Sequence, residues 1–170
     1  YLGEKKREKA SQVAMHGLFC AICNWLVFAV IGLFFSEAFL RLFSDDVQII
    51  MMGISYMQIC TICSFGVFVQ ITYERIMQST GNTIYNMVIQ GVGALINIIL
   101  DPIFIFGLGP VPALGTAGAA IATVIGQIVA MFLGIIITQK KIREIQLSVR
   151  GFHLDGMIMK AMYRIAIPAI

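Results

Sequence analysis

Three polar side chains on one predicted helix face could bind a cation. The stretch 90–107 is almost entirely apolar, yet it contains Gln90, Asn97 and Asp101. Residues seven and eleven positions apart lie on the same face of an α-helix. A carboxylate in the hydrocarbon of a bilayer costs at least about 2.5 kcal/mol, so it normally faces a cavity, a partner or an ion. The pattern therefore indicates a site for a cation or a proton at Asp101.

Pro102 follows this carboxylate directly. Proline cannot donate a backbone hydrogen bond, and its ring crowds the carbonyl of Ile98, so we expect a helix bend at Pro102. A bend that frees a carbonyl beside an acid is typical of ion sites in transporters. The alternative is a packing kink in which Asp101 is hydrogen-bonded to a neighbouring helix.

The composition is that of an integral membrane protein. Of the 170 residues, 59% are hydrophobic and only 12% are charged, and the mean hydropathy is +0.89. A soluble domain carries about 25% charged residues. Several apolar runs exceed the roughly 20 residues that a helix needs to cross a bilayer. We predict an all-α integral membrane protein, a polytopic bundle of four complete transmembrane helices and the start of a fifth.

The apolar and polar segments alternate regularly along the chain. Transmembrane spans are predicted at about residues 12–35, 47–73, 84–106 and 117–138. The short segments between them, 36–46, 74–83 and 107–116, are predicted as turns and loops. Residues 139–156 form a polar, basic connector, in part an amphipathic interfacial helix, and 157–170 open a fifth span. Because this last span begins where the chain ends, we expect an internal fragment of a larger protein.

The basic residues predict the orientation in the membrane. Alternate loops lie on the same side, and one side collects nine Lys and Arg residues while the other has one. The side rich in Lys and Arg is cytoplasmic. The N-terminus, segment 74–83 and the 139–156 connector should therefore be inside. Glu74 and Arg75 are predicted to mark the cytoplasmic interface, with an ion-pair latch as the alternative.

Two patterns in the fourth predicted span bear on the site. Small residues recur there at every fourth position, which lets another helix approach closely. These residues are Gly118, Ala122, Gly126 and Ala130. On an adjacent stripe, Thr123 and Gln127 could face the same cavity as Asn97 and Asp101, and Gln90 could line it too. For Thr123, the alternative is a hydroxyl bonded to the backbone one turn earlier.

The sequence gives little support for a cysteine metal site, a catalytic centre or a nucleic-acid surface. The two CxxC pairs lie inside apolar spans, where cysteine behaves as a small hydrophobe, so no metal is predicted beyond a Na+ at Asp101. The chain has no phosphate-binding loop, nucleophile elbow or HExxH motif, so we expect no catalytic residue and no cofactor. Its basic runs flank apolar spans, which favours contact with lipid head groups rather than nucleic acid.

Three motifs in sequence order resemble the multidrug and toxic compound extrusion (MATE) family. They are Gln78-Ser-Thr-Gly-Asn82, Asn97-Ile-Ile-Leu-Asp-Pro-Ile-Phe-Ile-Phe-Gly107 and Leu114-Gly-Thr-Ala-Gly-Ala-Ala-Ile-Ala-Thr123. The resemblance implies twelve helices in two six-helix lobes. Residues 1–138 would be the third to sixth helices of the N-terminal lobe, 139–156 the cytoplasmic inter-lobe connector, and 157–170 the start of the first helix of the C-terminal lobe.

The resemblance also implies a function. The family exports drugs and other xenobiotics, chiefly organic cations, from the cell in exchange for Na+ or H+. In part of the family, a cation site uses the residues that correspond here to Asn97, Asp101 and Thr123. A further acidic partner on the first helix lies outside this chain. The expected partners are the lipid bilayer, a small-molecule xenobiotic and the remainder of the same polypeptide.

Two other functions remain open at this stage. A lipid-linked oligosaccharide flippase of the same superfamily would carry basic residues in its central cavity, and no Lys or Arg lies in the middle of a predicted span. A membrane-embedded structural protein would show no transport. We therefore expect an antiporter of the plasma membrane rather than an enzyme.

Overall fold

The structure, a computed structural model, describes residues 7–142 and 153–166. Within these ranges the regular structure is entirely helical, which confirms the predicted all-α class. The helices are α1 (Arg7–Arg41), α2 (Val47–Ile62), α3 (Phe65–Ser79), α4 (Thr83–Phe106), α5 (Thr116–Lys141) and α6 (Gly156–Ala166). Most of the predicted connector lies outside the described residues.

The helices form a membrane-spanning bundle. α1, α4 and α5 are each long and apolar enough to cross a bilayer, and α2 and α3 together form a fourth candidate span, bent by 45°. α5 lies at the centre and packs on α2, α3 and α4, whereas α1 packs on α2 and α3. Large apolar side chains cover the outer surfaces of α1 and α4, as expected of faces that contact lipid or other transmembrane helices.

The predicted turn at residues 36–46 is wrong in its first half, which is helical. α1 continues to Arg41, and the Arg41 guanidinium lies 2.7 Å from the Glu37 carboxylate, one helical turn away. Nothing in residues 36–41 breaks a helix, and a pair of opposite charges one turn apart supports one. The turn is confined to residues 42–46, where the Asp46 side chain caps α2 by accepting the Gln48 N–H at 2.8 Å.

The second predicted span, 47–73, is interrupted at residues 63–64. Hydroxyl groups near the break bond to the backbone: Thr61 donates to the Met57 carbonyl and Ser64 to the Thr61 carbonyl, each at 2.7 Å. Such bonds compete with the helix ladder. The Ile62 carbonyl at the end of α2 accepts a hydrogen bond from the Trp25 indole at 2.9 Å. The end of α2 at the break is therefore hydrogen-bonded to α1.

The predicted loop 74–83 is wrong in its first half. α3 continues to Ser79, and the turn comprises only residues 80–82, with Gly81 at a φ of 80°. Glu74 is buried rather than exposed in a loop, and Arg75 bonds to Gln78 at 2.8 Å, so these two side chains do not pair with each other in this structure. The Glu74 carboxylate has hydrogen-bond partners inside the bundle instead.

The packing of α4 on α5 confirms the predicted role of the small residues. Gly118, Ala122, Gly126 and Ala130 are all buried. A Cβ atom on Gly126 would lie 2.7 Å from the Gly93 carbonyl oxygen of α4, so only glycine permits this approach. α4 continues through Pro102 to Phe106. The loop that follows returns to α4, because the Leu114 N–H donates to the Phe104 carbonyl at 3.0 Å.

α6 begins close to the predicted start of the fifth span and contacts α1. The buried His16 ring joins them, because its Nε2 accepts the Asp155 N–H at 2.9 Å while its Nδ1 lies 2.7 Å from the Gln12 carbonyl oxygen. The start of the last helix is thus fixed to α1 through one imidazole.

Candidate cation site

The α4–α5 interface brings together the three residues of the predicted cation site. The Asn97 side-chain amide lies 3.3 Å from an Asp101 carboxylate oxygen and 3.2 Å from the Thr123 hydroxyl oxygen. Because a carboxylate only accepts hydrogen bonds, the amide nitrogen must face Asp101. The amide oxygen then faces α5 and accepts the Thr123 backbone N–H at 3.1 Å, so Asn97 bridges a carboxylate on its own helix to Thr123 on the next helix.

Close helix packing is what makes this bridge short. Asn97 and Asp101 are one turn apart on α4, so their side chains meet without help from other helices. Thr123 reaches them only because Gly126, one turn further along α5, lets the two backbones approach. All three side chains are half-buried. The site is thus sheltered by protein on one side and open on the other.

The Thr123 hydroxyl makes both contacts that the sequence left open. It donates to the Ala119 carbonyl one turn earlier at 2.9 Å, and it lies beside Asn97. A hydroxyl has one proton and two lone pairs. Because its proton is used by Ala119, the hydroxyl oxygen directs lone pairs toward the α4 side. An oxygen in this state can help to coordinate a cation.

A largely open cavity of about 240 Å³ adjoins the site. Small residues of α4 and α5 form its walls, and five polar side chains line it: Gln70, Gln90, Asn97, Thr123 and Gln127. Pockets for drug-sized ligands are usually about 300–1,000 Å³, so this space fits an ion with water or one end of a larger molecule. The lining includes Gln90 and Gln127, the two glutamines suggested by the sequence.

Sequence reasoning missed a second carboxylate next to this cavity. Glu74 is only 6% exposed, and its two carboxylate oxygens accept hydrogen bonds from Gln70 at 2.8 Å and from Gln90 at 3.0 Å. Gln70 and Glu74 are one turn apart on α3, which is the signal that could have placed them on one face. Glu74 was instead predicted to lie in a loop, because a polar stretch with a turn motif follows it.

Fold and site together define an integral membrane protein of the polytopic helical class, with a polar cavity between its spans. The chain belongs to the MatE family, whose model matches residues 1–103. This finding confirms the family resemblance in the sequence.

Individual relatives agree with this assignment. The probable multidrug resistance protein YoeA of Bacillus subtilis is 28% identical over 98% of this chain and 37% of its own length. The FAD transporter of Shewanella oneidensis is 41% identical over 48% of this chain and 18% of its own length. The fold matches a crystal structure of MATE in the bent conformation with a TM-score of 0.88, at 24% identity, over 98% of this chain and 36% of that one.

The chain spans little more than a third of these relatives. The matches to YoeA and to the MATE crystal structure each cover 98% of this chain, but only 37% and 36% of the relatives' own lengths. This agrees with the expected fragment of a twelve-helix MATE-type transporter.

Proposed function

We propose that this chain forms part of the N-terminal lobe of a secondary antiporter. The complete protein would export organic cations, such as drugs and other xenobiotics, across the cell membrane in exchange for Na+ or H+. The bridge from Asp101 through Asn97 to Thr123, beside a polar cavity, is the observation that carries this proposal. Membership in the MatE family supports it.

Asp101 is the group that binds the coupling ion in this account. Its contact with Asn97 is long for a hydrogen bond, and the carboxylate is half-buried, so an incoming cation meets an acceptor that is loosely held. A bound cation would repel the amide N–H, and rotation of the Asn97 amide would offer its oxygen instead. Thr123 would supply a further oxygen ligand.

Alternating access then follows from linkage. A ligand shifts a conformational equilibrium only by its differential affinity for the two states. Asp101 precedes Pro102 within α4, where the helix lacks one backbone donor, so charge neutralisation at Asp101 would act beside this missing hydrogen bond. We propose that ion binding changes the bend there and favours the release of the exported cation.

The chemistry of the cavity favours a cationic substrate over an anionic one. Its lining contains no Lys or Arg, while two carboxylates, Asp101 and Glu74, lie one hydrogen bond behind the lining amides. This argues against a flippase with a basic cavity. It also argues against FAD as cargo, although FAD is the substrate named for one relative.

A transport assay tests the proposed function. Full-length protein containing this chain, reconstituted in liposomes, should move ethidium when a Na+ or H+ gradient is imposed, and it should not move FAD. Transport of FAD alone would replace the proposed substrate class. Absence of any ion-driven movement would favour a non-transporting structural role.

The proposed orientation has its own test. With the N-terminus and residues 80–82 inside, a cysteine at Asp45 should react with a membrane-impermeant maleimide in intact cells. A cysteine at Gln78 should react only after the membrane is opened. Both positions are exposed. The reverse labelling pattern would contradict the orientation drawn from the basic residues.

A further inference from the structure

Two glutamine side chains of the cavity are held in one orientation from behind. Gln70 of α3 donates its amide N–H to one oxygen of the Glu74 carboxylate at 2.8 Å, and Gln90 of α4 donates to the other oxygen at 3.0 Å. An ionised carboxylate only accepts hydrogen bonds, so neither amide can reverse without placing its own oxygen against a carboxylate oxygen. Because Glu74 is only 6% exposed, its carboxylate fixes both amides in a site that is largely closed to water.

The oxygens of these two amides are left for the cavity. Since the nitrogens of Gln70 and Gln90 face Glu74, the amide oxygens point away from it, and both side chains line the cavity. Within residues 7–142 and 153–166, neither amide oxygen accepts a hydrogen bond. Two unpaired acceptors from two different helices are therefore available to a ligand.

The composition of the cavity lining shows which positive groups these oxygens suit. Among the described residues, the lining contains no aromatic side chain, because small and amide side chains make up most of it: Gln70, Gln90, Gly93, Ala94, Asn97, Thr123, Gly126, Gln127 and Ala130. Quaternary ammonium groups have no N–H and are typically recognised on aromatic faces. A protonated amine instead forms charge-assisted hydrogen bonds to oxygen atoms. The lining thus offers acceptors and no aromatic face.

We propose that Glu74 is a positioning residue that makes this cavity selective for cations with N–H groups, such as protonated primary and secondary amines, over quaternary ammonium ions. Glu74 does not contact the ligand. It holds the Gln70 and Gln90 oxygens toward the ligand and polarises both amides, which strengthens the hydrogen bonds that these oxygens accept. The cavity of about 240 Å³ admits the ammonium end of a larger molecule. This selectivity rests on the proposed function, and it adds the chemical feature by which the cavity distinguishes organic cations.

Two matched fluorescent probes test the selectivity by binding to full-length protein in detergent. Dansylcadaverine has a primary ammonium group, and its N,N,N-trimethyl derivative has the same charge without N–H on that group. The unmodified protein should bind the first probe at least about tenfold more tightly, the scale of one charge-assisted hydrogen bond. Equal affinities of the unmodified protein for the two probes would overturn the proposal.

The ratio of the two affinities isolates the role of Glu74. In Glu74→Gln, the new side chain can donate as well as accept, so both amides behind the lining are free to reverse, and the ratio should fall at least about threefold. Loss of charge or packing alone would weaken both probes together and leave the ratio unchanged. An unchanged ratio in a folded Glu74→Gln protein would therefore overturn the proposal. Glu37→Gln, the same change at an exposed carboxylate of α1, should keep the ratio of the unmodified protein.

A second variant keeps the test independent of folding in Glu74→Gln. Gln90→Met retains the Glu74 carboxylate and removes one lining oxygen, so it should also lower the ratio, and an unchanged ratio there would overturn the proposal. Binding in detergent needs no ion gradient, so its result is separate from the transport assay. A preserved preference without ion-driven ethidium movement would contradict the antiport alone, whereas ethidium transport without the preference would contradict only the selectivity.

Discussion

Two carboxylates bond to amides at the two ends of the cavity, Glu74 to Gln90 and Asp101 to Asn97, and they are held differently. Glu74 is buried and accepts short bonds of 2.8 and 3.0 Å from amides on two helices. Asp101 is half-buried, and its contact with Asn97 measures 3.3 Å. A tightly held carboxylate joins α3 to α4, whereas a loosely held one is free to exchange its partner. The comparison favours Asp101 over Glu74 as the carboxylate that exchanges an ion.

Separating α4 from α5 should have the largest effect, because Asn97 of α4 and Thr123 of α5 meet across this interface. In Gly126→Ala, the new Cβ would lie 2.7 Å from the Gly93 carbonyl oxygen, and overpacking of this kind costs about 1–3 kcal/mol. We expect a lower Tm of the full-length protein and weaker Na+ binding. Gly91→Ala is the matched control, because a Cβ there meets nothing within 4 Å. Equal Tm values for the two variants would contradict the close packing.

Removing the bridging amide should disable only the Asp101 end. We expect Asn97→Ala to weaken cation binding at Asp101 roughly 10- to 100-fold, the usual effect of losing a group that orients a metal ligand. Radiolabelled Na+ binding measures it, with the exposed Asn24→Ala of α1 as control. Equal affinities in the two variants would show that Asn97 has no part in the site.

Removing one hydroxyl should have a smaller effect at the same end. Thr123→Val keeps the side-chain shape and should weaken cation binding up to about tenfold, the scale of one neutral hydrogen bond. Thr123→Ser retains the hydroxyl and should restore most of the affinity. A Ser variant as weak as the Val variant would mean that the methyl group, and not the oxygen, matters at this position.

The difference between the two ends also shows how far the sequence could predict this structure. The contact between Asp101 and Asn97 could be predicted because both lie on α4, where helical periodicity alone brings them together. Thr123 followed from a stripe of small residues on α5 and from the family resemblance. These predictions needed only local spacing and one well-marked helix pair.

Glu74 could not be found in this way. Its partner Gln90 is sixteen residues away on another helix, and only the packing of α3 against α4 shows that they meet. The break at residues 63–64 was missed for a similar reason. The Ile62 carbonyl there accepts a hydrogen bond from Trp25 on another helix, and the segment lacks the proline that would have marked a break.

The most direct test of the account is the ion dependence of transport in Asp101→Asn. Full-length protein in liposomes, assayed for ethidium movement over a range of Na+ concentrations and pH, should lose its dependence on the coupling ion in this variant, while Glu37→Gln behaves like the unmodified protein. An Asp101→Asn protein that exports ethidium with unchanged Na+ and pH dependence would contradict the proposal that Asp101 binds the coupling ion.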